Sequence, residues 1–241
     1  TLNNNEHAFG SILSGDSDYS TIIFNNNLIA NCSSRSPSFG NGNFFMRNNL
    51  IYNYGHRASY SSNTKNSNII MMNNYYKPGP DTSHPNIIFR MPDTKSAIIL
   101  LLFNNFIHGH KNETNNNILA VSKPENGLYS IYDGKRFKID HKLYMNNDPV
   151  SDKLSKKEKK KRNKELKKTI MRKEKLISKL TKSSYIKKST ELTDYFNNYY
   201  SILNYVGNSI HRSYLDNKII EQVKTNTGEH AARNEINLET V

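Results

Sequence analysis

The sequence predicts an all-β protein of the β-solenoid class, in which short parallel strands stack coil upon coil. A short apolar run followed by an asparagine pair occurs four times between Thr21 and His108. The apolar runs are rich in β-branched and aromatic residues, which favour strands over helices. The second asparagines of the four pairs are 22, 25 and 31 residues apart, and a period in this range is typical of one solenoid coil. These four residues are Asn27, Asn49, Asn74 and Asn105.

The asparagine pairs have a physical role in such a fold. Each coil turns sharply between two strands, and asparagine tolerates the left-handed backbone conformation better than most residues with a side chain. Equivalent asparagines about 4.8 Å apart, the spacing of neighbouring strands, can hydrogen-bond from coil to coil. We therefore expect the four pairs to form one column along the solenoid. The apolar residues that we expect in or beside the core are Ile22, Phe45, Ile70 and Leu100.

The sequence divides into three parts, namely coils and their loops over 1–149, a basic insertion over 150–183, and C-terminal helices followed by a loose tail over 184–241. Because the chain starts inside a coil, we expect an N-terminally truncated solenoid with further coils upstream. The three prolines of Lys77–Pro85 predict a loop that projects from the solenoid. Thr190–Val206 and Leu215–Thr225 have the pattern of short helices with one apolar face, which we expect to pack on the flank of the solenoid.

The positive charge of the chain is concentrated in the insertion. The formal net charge is +13, and 15 Lys and Arg against 4 Asp and Glu between Ser151 and Lys182 account for +11 of it. We expect a solvated helical or disordered insertion, with binding of a polyanion as its alternative function. No apolar run approaches the roughly 18 residues of a membrane span, and the sequence does not open with a signal peptide. The single cysteine, Cys32, is expected to be a buried thiol.

The candidate catalytic loop follows the first repeat, at N-C-S-S-R-S-P-S-F-G-N-G-N. Arg35 lies two residues before Pro37, which would help to fix the direction of the arginine. Asn31 and Asn112 each open a sequence that fits the acceptor pattern for N-glycosylation.

Several motifs, taken in order, resemble those of the pectate lyase family of right-handed parallel β-helices, polysaccharide lyase family one. The motifs are a G-x-S-D turn at Gly15 to Asp18, strand ends at Asn26 to Leu28 and Asn48 to Tyr52, an R-x-P loop at Arg35 to Pro37, and N-Y-Y-K-P-G-P at Asn74 to Pro80. The C-terminal region is similar to one branch of the family in its aromatic helix, Gly207, Arg212, Asp216 and the sequence K-I-I-E-Q-V-K-T. The resemblance covers the chain except the basic insertion and its surroundings.

The resemblance implies a right-handed, single-stranded parallel β-helix that cleaves polygalacturonate by β-elimination. In this reaction a base removes the proton α to the uronate carboxylate, cations stabilise the carbanion, and the glycosidic oxygen leaves. Arg35 inherits the family's role of base, although a guanidinium holds its proton at ordinary pH and could instead stabilise the developing negative charge. The resemblance also implies calcium as cofactor and a secreted monomer whose partner is an acidic polysaccharide, with neither a membrane nor a nucleic acid as partner.

Three features of the sequence differ from the family pattern. Gly10 stands where the family has a lysine, and His7 is a candidate substitute in substrate binding. The arginines that follow the family's R-x-P are missing, and Arg57 is a candidate replacement. The family's calcium carboxylates would lie upstream of this chain, which leaves Asp16 and Asp18 as candidate ligands, with a role in the turn as the alternative. The alternatives to catalysis are a carbohydrate-binding or structural solenoid, and polyanion binding through the basic insertion.

Overall fold

Three parallel β-sheets, each built from strands of successive coils, form the body of the protein. The computed structural model describes residues 8–17, 20–61, 67–92, 98–123, 129–132, 154–181 and 199–230. The first sheet contains β2 (Thr21–Asn25), β5 (Gly42–Arg47), β8 (Ser67–Met72), β11 (Ile98–Phe103) and β14 (Tyr129–Tyr132). The second contains β3 (Leu28–Ala30), β6 (Leu50–Tyr52), β9 (Tyr75–Lys77) and β12 (Phe106–Ile107). The third contains β1 (Ile12–Leu13), β4 (Ser38–Phe39), β7 (Ser59–Ser61), β10 (Phe89–Arg90) and β13 (Val121–Ser122).

The chain passes through the three sheets in a fixed order and then begins the next coil. After β1 it runs through the first, second and third sheets in turn, so each strand pairs in parallel with the equivalent strand one coil away. Such cycling produces a solenoid-like stack of coils, in agreement with the parallel β-architecture predicted from the asparagine repeats.

The strand register determines which apolar residues fill the interior. Phe44 lies beside Ile22 and Ile69, and Leu100 continues the same row into the next coil, within the main core cluster. Phe45 and Ile70, which we expected in or beside the core, come one residue later and lie on the outer face, because successive side chains of a strand alternate between its faces. Phe45 is half-buried there and Ile70 is buried.

The predicted column of asparagines is confirmed, and the two members of each pair have different roles. The first asparagine makes the turn in the left-handed conformation, with φ of 57°, 54°, 51° and 47° at Asn26, Asn48, Asn73 and Asn104. The second stacks. For example, Asn49 Oδ1 accepts hydrogen bonds from the backbone nitrogen (2.9 Å) and Nδ2 (3.1 Å) of Asn27 in the preceding coil. The pattern repeats through Asn74 and Asn105 and ends at a fifth residue, Asn117, which the sequence repeat did not predict.

Four α-helices lie in the described part of the chain: α1 (Lys111–Asn115), α2 (Lys156–Thr181), α3 (Tyr199–Tyr205) and α4 (Tyr214–Thr225). A 3-10 helix also spans Asn117–Ala120. The last two α-helices pack on the second sheet, as predicted, and Ser213 caps α4 in a capping box with Asp216. Residues 190–198 of the first predicted C-terminal helix lie outside the described residues. The shared apolar cluster contains Leu50, Tyr52, Tyr75, Ile202, Leu203, Val206, Ile220 and Val223.

Lys77, at the end of β9, ties the C-terminal helices to the solenoid. Its side chain is 7% exposed, and its Nζ donates to the Val223 carbonyl oxygen of α4. Burial lowers the pKa of Lys77. The loop that follows was expected to project, but the backbone nitrogen of Asp81 donates to Asn53 Oδ1 (2.9 Å) and the Asp81 carboxylate accepts from the backbone nitrogen of His230 (2.9 Å). These hydrogen bonds hold the loop against the coil below and the C-terminal segment above it.

The basic insertion contains one long helix, α2, of 26 residues. Ile170 near its middle is 1% exposed, whereas most of the charged residues around it are exposed. The helix therefore has one covered side and one solvated side. Among the described helices, none combines the length and apolar character needed to cross a membrane.

Candidate functional site

The R-S-P loop holds Arg35 at the entrance to the third sheet, immediately before β4. Arg35 adopts the left-handed conformation, with φ of 64°, and its carbonyl oxygen accepts from the backbone nitrogen of Ser11 at 2.7 Å. A Cβ atom added at Gly10 would come 2.3 Å from the same carbonyl oxygen. The backbone of Arg35 is thus fixed by close packing against Gly10, and this backbone leaves no room at position 10 for the lysine of the family pattern.

The Arg35 side chain is held between two aromatic residues. Its Nε donates a hydrogen bond to the hydroxyl of Tyr60 at 3.1 Å, and its guanidinium lies 4.1 Å from the centre of the Phe9 ring. The guanidinium is a planar cation that stacks well on aromatic rings, so these contacts fix its plane and direction. Arg35 is half-buried and keeps donor groups beyond the one that Tyr60 uses.

Two more arginines surround the Tyr60 side chain on the outer face of the third sheet. The Arg57 guanidinium lies 5.3 Å from the centre of the Tyr60 ring. Arg90 is the register partner of Tyr60 on the neighbouring strand β10 and is exposed. We call this group of four residues, Arg35, Arg57, Tyr60 and Arg90, the cationic face.

The positive charge of the cationic face affects a neighbouring histidine and is not balanced by described carboxylates. His56 has its pKa lowered, first by burial and then by the positive charges of Arg57, Arg90 and His84. Within the described part of the chain, no carboxylate forms an ion pair with any of the three arginines. The Nε of Arg57 is also buried without a hydrogen-bond partner. One guanidinium on the Tyr60 hydroxyl, one over its ring and one on the partner residue of the next strand, with no carboxylate paired to them among the described residues, form a surface suited to anions.

The structure brings together two of the residues predicted for the site, Arg35 and Arg57, through their shared contact with Tyr60. His7 and Asp18 lie outside the described residues. Asp16 is an exposed residue of a bend, and the described ranges contain no group of three acidic, histidine or cysteine side chains able to hold a metal ion. Calcium binding, whose main ligands the resemblance places upstream of residue 1, stays a prediction.

The two candidate glycosylation positions have different surroundings. Asn31 is in the left-handed conformation, its Nδ2 donates to Gln222 Oε1 at 2.8 Å, and its Oδ1 accepts from Asn53 Nδ2 at 3.0 Å. A glycan on Asn31 Nδ2 would have to replace the contact with Gln222. Asn112 is exposed in α1 and has no such constraint.

Tyr60, Arg90 and His56 were not predicted from the sequence. The strands that carry the first two are short and read S-Y-S and F-R, so they lack the apolar runs that revealed the first sheet. Their spacing gave no signal either, since Tyr60 follows Asn49 by 11 residues and Arg90 follows Asn74 by 16, and only the strand register shows that they are equivalent. No family model matches the sequence, and a search of characterised proteins gives no significant match. The fold and the site define a β-solenoid-like protein with a cationic outer face.

Proposed function

We propose that this protein is a right-handed parallel β-helix of the pectate lyase type that binds polygalacturonate at the cationic face and cleaves it by β-elimination. The observation that carries the proposal is the cationic face, in which Arg35 of the R-S-P loop and Arg57 contact Tyr60 and Arg90 is its partner on the next strand. None of these arginines pairs with a carboxylate in the described ranges. Polygalacturonate presents one carboxylate per sugar, and arginine binds carboxylates through two parallel hydrogen bonds.

The positions of the arginines suit an extended ligand. Arg35 precedes β4, Arg57 precedes β7 and Arg90 ends β10, so the three residues come from three successive coils of the third sheet. Neighbouring strands are about 4.8 Å apart. A sugar chain that runs across the strands would therefore meet a cation at each coil. This arrangement favours a linear polyanion over a small anion with a single charge.

The chemistry of β-elimination places the strongest demand on a cation next to the reacting carboxylate. When the α proton is removed, the electron pair left on carbon delocalises into the carboxylate, and the C–O bond to the leaving sugar then breaks to form the double bond. We place Arg35 against this carboxylate, because its side chain is fixed by Phe9 and Tyr60 before substrate arrives. Its role is either the base that the resemblance implies or the stabiliser of the developing charge.

The test of the proposal is the appearance of unsaturated uronate absorbance when the protein is added to polygalacturonate with calcium in the buffer. Arg35→Lys keeps the charge but loses the planar fork of donors. We expect it to lower turnover about a hundredfold or more, equivalent to about 3 kcal/mol of transition-state stabilisation. Its melting temperature should stay close to that of the wild type.

Lys111→Gln provides the matched control, because it removes one exposed positive charge away from the cationic face. Near-normal turnover in Arg35→Lys would remove Arg35 from the chemistry. If the wild type binds polygalacturonate through Arg35 but releases no unsaturated product, the protein is a carbohydrate-binding solenoid without lyase activity.

A further inference from the structure

The solvated side of α2 carries a row of positive charges, with one exposed acidic residue, Glu165, at its edge. In the described part of the chain, exposed cations follow one another along this side at intervals of three or four residues, which places them on one face of a helix. The row extends over about 27 Å at the rise of 1.5 Å per residue. We call it the basic ridge; it consists of Lys157, Lys161, Lys164, Lys168, Arg172 and Lys175.

The structure fixes the direction in which the ridge faces. Ile170 is almost fully buried, and Lys159, Asn163 and Glu174, which lie on the same side of the helix, are only partly exposed. The ridge lies on the opposite side, away from this covered stripe. A freely rotating basic helix would have no preferred side, whereas α2 presents its cations in one direction.

The ridge side chains form no ion pair with any residue that the structure describes. Glu158, the first acidic residue of α2, turns to the start of the helix, where its carboxylate accepts from the backbone nitrogen of Ser155 at 2.9 Å. Like charges three or four residues apart destabilise a helix, so an external anion that bridges them would stabilise it.

We propose that the basic ridge is a second binding surface for the acidic polysaccharide, which it holds while the cationic face acts on the reacting sugar. This inference rests on the proposed function for the identity of the polyanion. A row of cations with a spacing of one helical turn suits a linear chain with regularly repeated carboxylates. Because such binding releases counterions, it weakens steeply as salt concentration rises.

The test compares two variants of the full chain with the same change in net charge. The ridge variant combines Lys161→Gln, Lys164→Gln, Lys168→Gln and Arg172→Gln, since glutamine keeps a high helix propensity. The control combines Lys111→Gln, Lys123→Gln, Lys218→Gln and Lys224→Gln, all at exposed positions away from α2. Circular dichroism verifies that both variants keep their helices. Binding to size-defined polygalacturonate and to duplex DNA is measured across a series of salt concentrations.

We expect the ridge variant to bind polygalacturonate at least tenfold more weakly at low salt. Its slope of log affinity against log salt should fall by about 3, since each lost contact with a single-stranded polyanion removes about 0.7. The control should stay within about twofold of the wild type, as expected if charge position matters more than net charge. Turnover at saturating substrate should be unchanged in the ridge variant.

Equal binding of the ridge and control variants to polygalacturonate would overturn the inference and leave the proposed function untouched. A loss confined to duplex DNA would overturn it as well and would identify a nucleic acid as the ligand of the ridge. Conversely, ridge-dependent binding of polygalacturonate by a protein that produces no unsaturated product would contradict the lyase proposal and support the ridge.

Discussion

The asparagine column makes a quantitative prediction for Asn49→Ala. The Asn49 side chain is fully buried and takes part in four hydrogen bonds: it accepts two from Asn27, and its Nδ2 donates to Phe24 O at 3.0 Å and to Asn74 Oδ1 at 2.9 Å. Alanine removes all four. Asn74 Oδ1 still accepts from the backbone nitrogen of residue 49, so three polar groups lose a partner, of which Asn27 Nδ2 keeps its second hydrogen bond to Asn25 O.

A buried polar group without a partner costs about 1–3 kcal/mol, and the half-exposed Asn27 side chain regains part of this from water. We therefore expect Asn49→Ala to lower the free energy of unfolding by about 4 kcal/mol. For a chain of this size the loss corresponds to a decrease in melting temperature of roughly 10 °C. The measurement is thermal and urea unfolding followed by circular dichroism.

Asn48→Gly is the matched control in the same turn. Asn48 has φ of 54° and its Oδ1 makes no hydrogen bond, so its contribution is the left-handed backbone, which glycine adopts readily. We expect a change of less than about 1 kcal/mol. If Asn49→Ala costs less than Asn48→Gly, the stacked amides do not hold the coils together and this account of the column is wrong.

Three further outcomes follow from the buried residues. Ile170→Ala should lower the melting temperature by several degrees, since truncating a buried isoleucine to alanine costs about 2–5 kcal/mol. Met171→Ala, at a position that is 62% exposed, should change the melting temperature little. Lys77→Met should change the free energy of unfolding by less than about 1 kcal/mol, because it removes a buried ammonium group and the Val223 carbonyl keeps a hydrogen bond from a tyrosine hydroxyl. A loss above about 2 kcal/mol would show that the ammonium is a net stabiliser. Burial raises the pKa of Tyr75 to about 12 in the folded protein, compared with about 10 in the unfolded chain. The neutral phenol therefore contributes stability below a pH of about 10, and this contribution is lost as pH rises toward 12. Tyr75→Phe should unfold at a higher pH than the wild type in an alkaline titration, and an equal or lower midpoint would contradict this.

Sequence patterns predicted the parts of the fold in which one local requirement repeats in every coil. The left-handed turn and the stacked amide recur at each asparagine pair. The inward-facing row of the first sheet lies one residue before Phe45 and Ile70, although Ile70 is buried as expected. Both neighbours in each run are apolar, and composition does not reveal which one faces inward.

The candidate site was harder to predict because it depends on contacts between coils. Arg35 was found through its motif, but Tyr60 and Arg90 lie 25 and 55 residues later and meet it only through the register of the third sheet. The burial of Ile170 was also missed, since a thin apolar stripe in a basic helix gives no indication of what covers it. Long-range placement of this kind is not encoded in any short stretch of sequence.

The asparagine column also separates the length of a coil from the way in which coils stack. Asparagines bonded between successive coils are 22, 25 and 31 residues apart in sequence, yet the Nδ2–Oδ1 distances between them stay between 2.9 and 3.1 Å. The extra residues are accommodated in the loops, away from the column. A coil can therefore gain or lose loop residues, or accept an inserted segment, without disturbing the neighbouring coils. The loops are thus where new binding surfaces can arise during evolution.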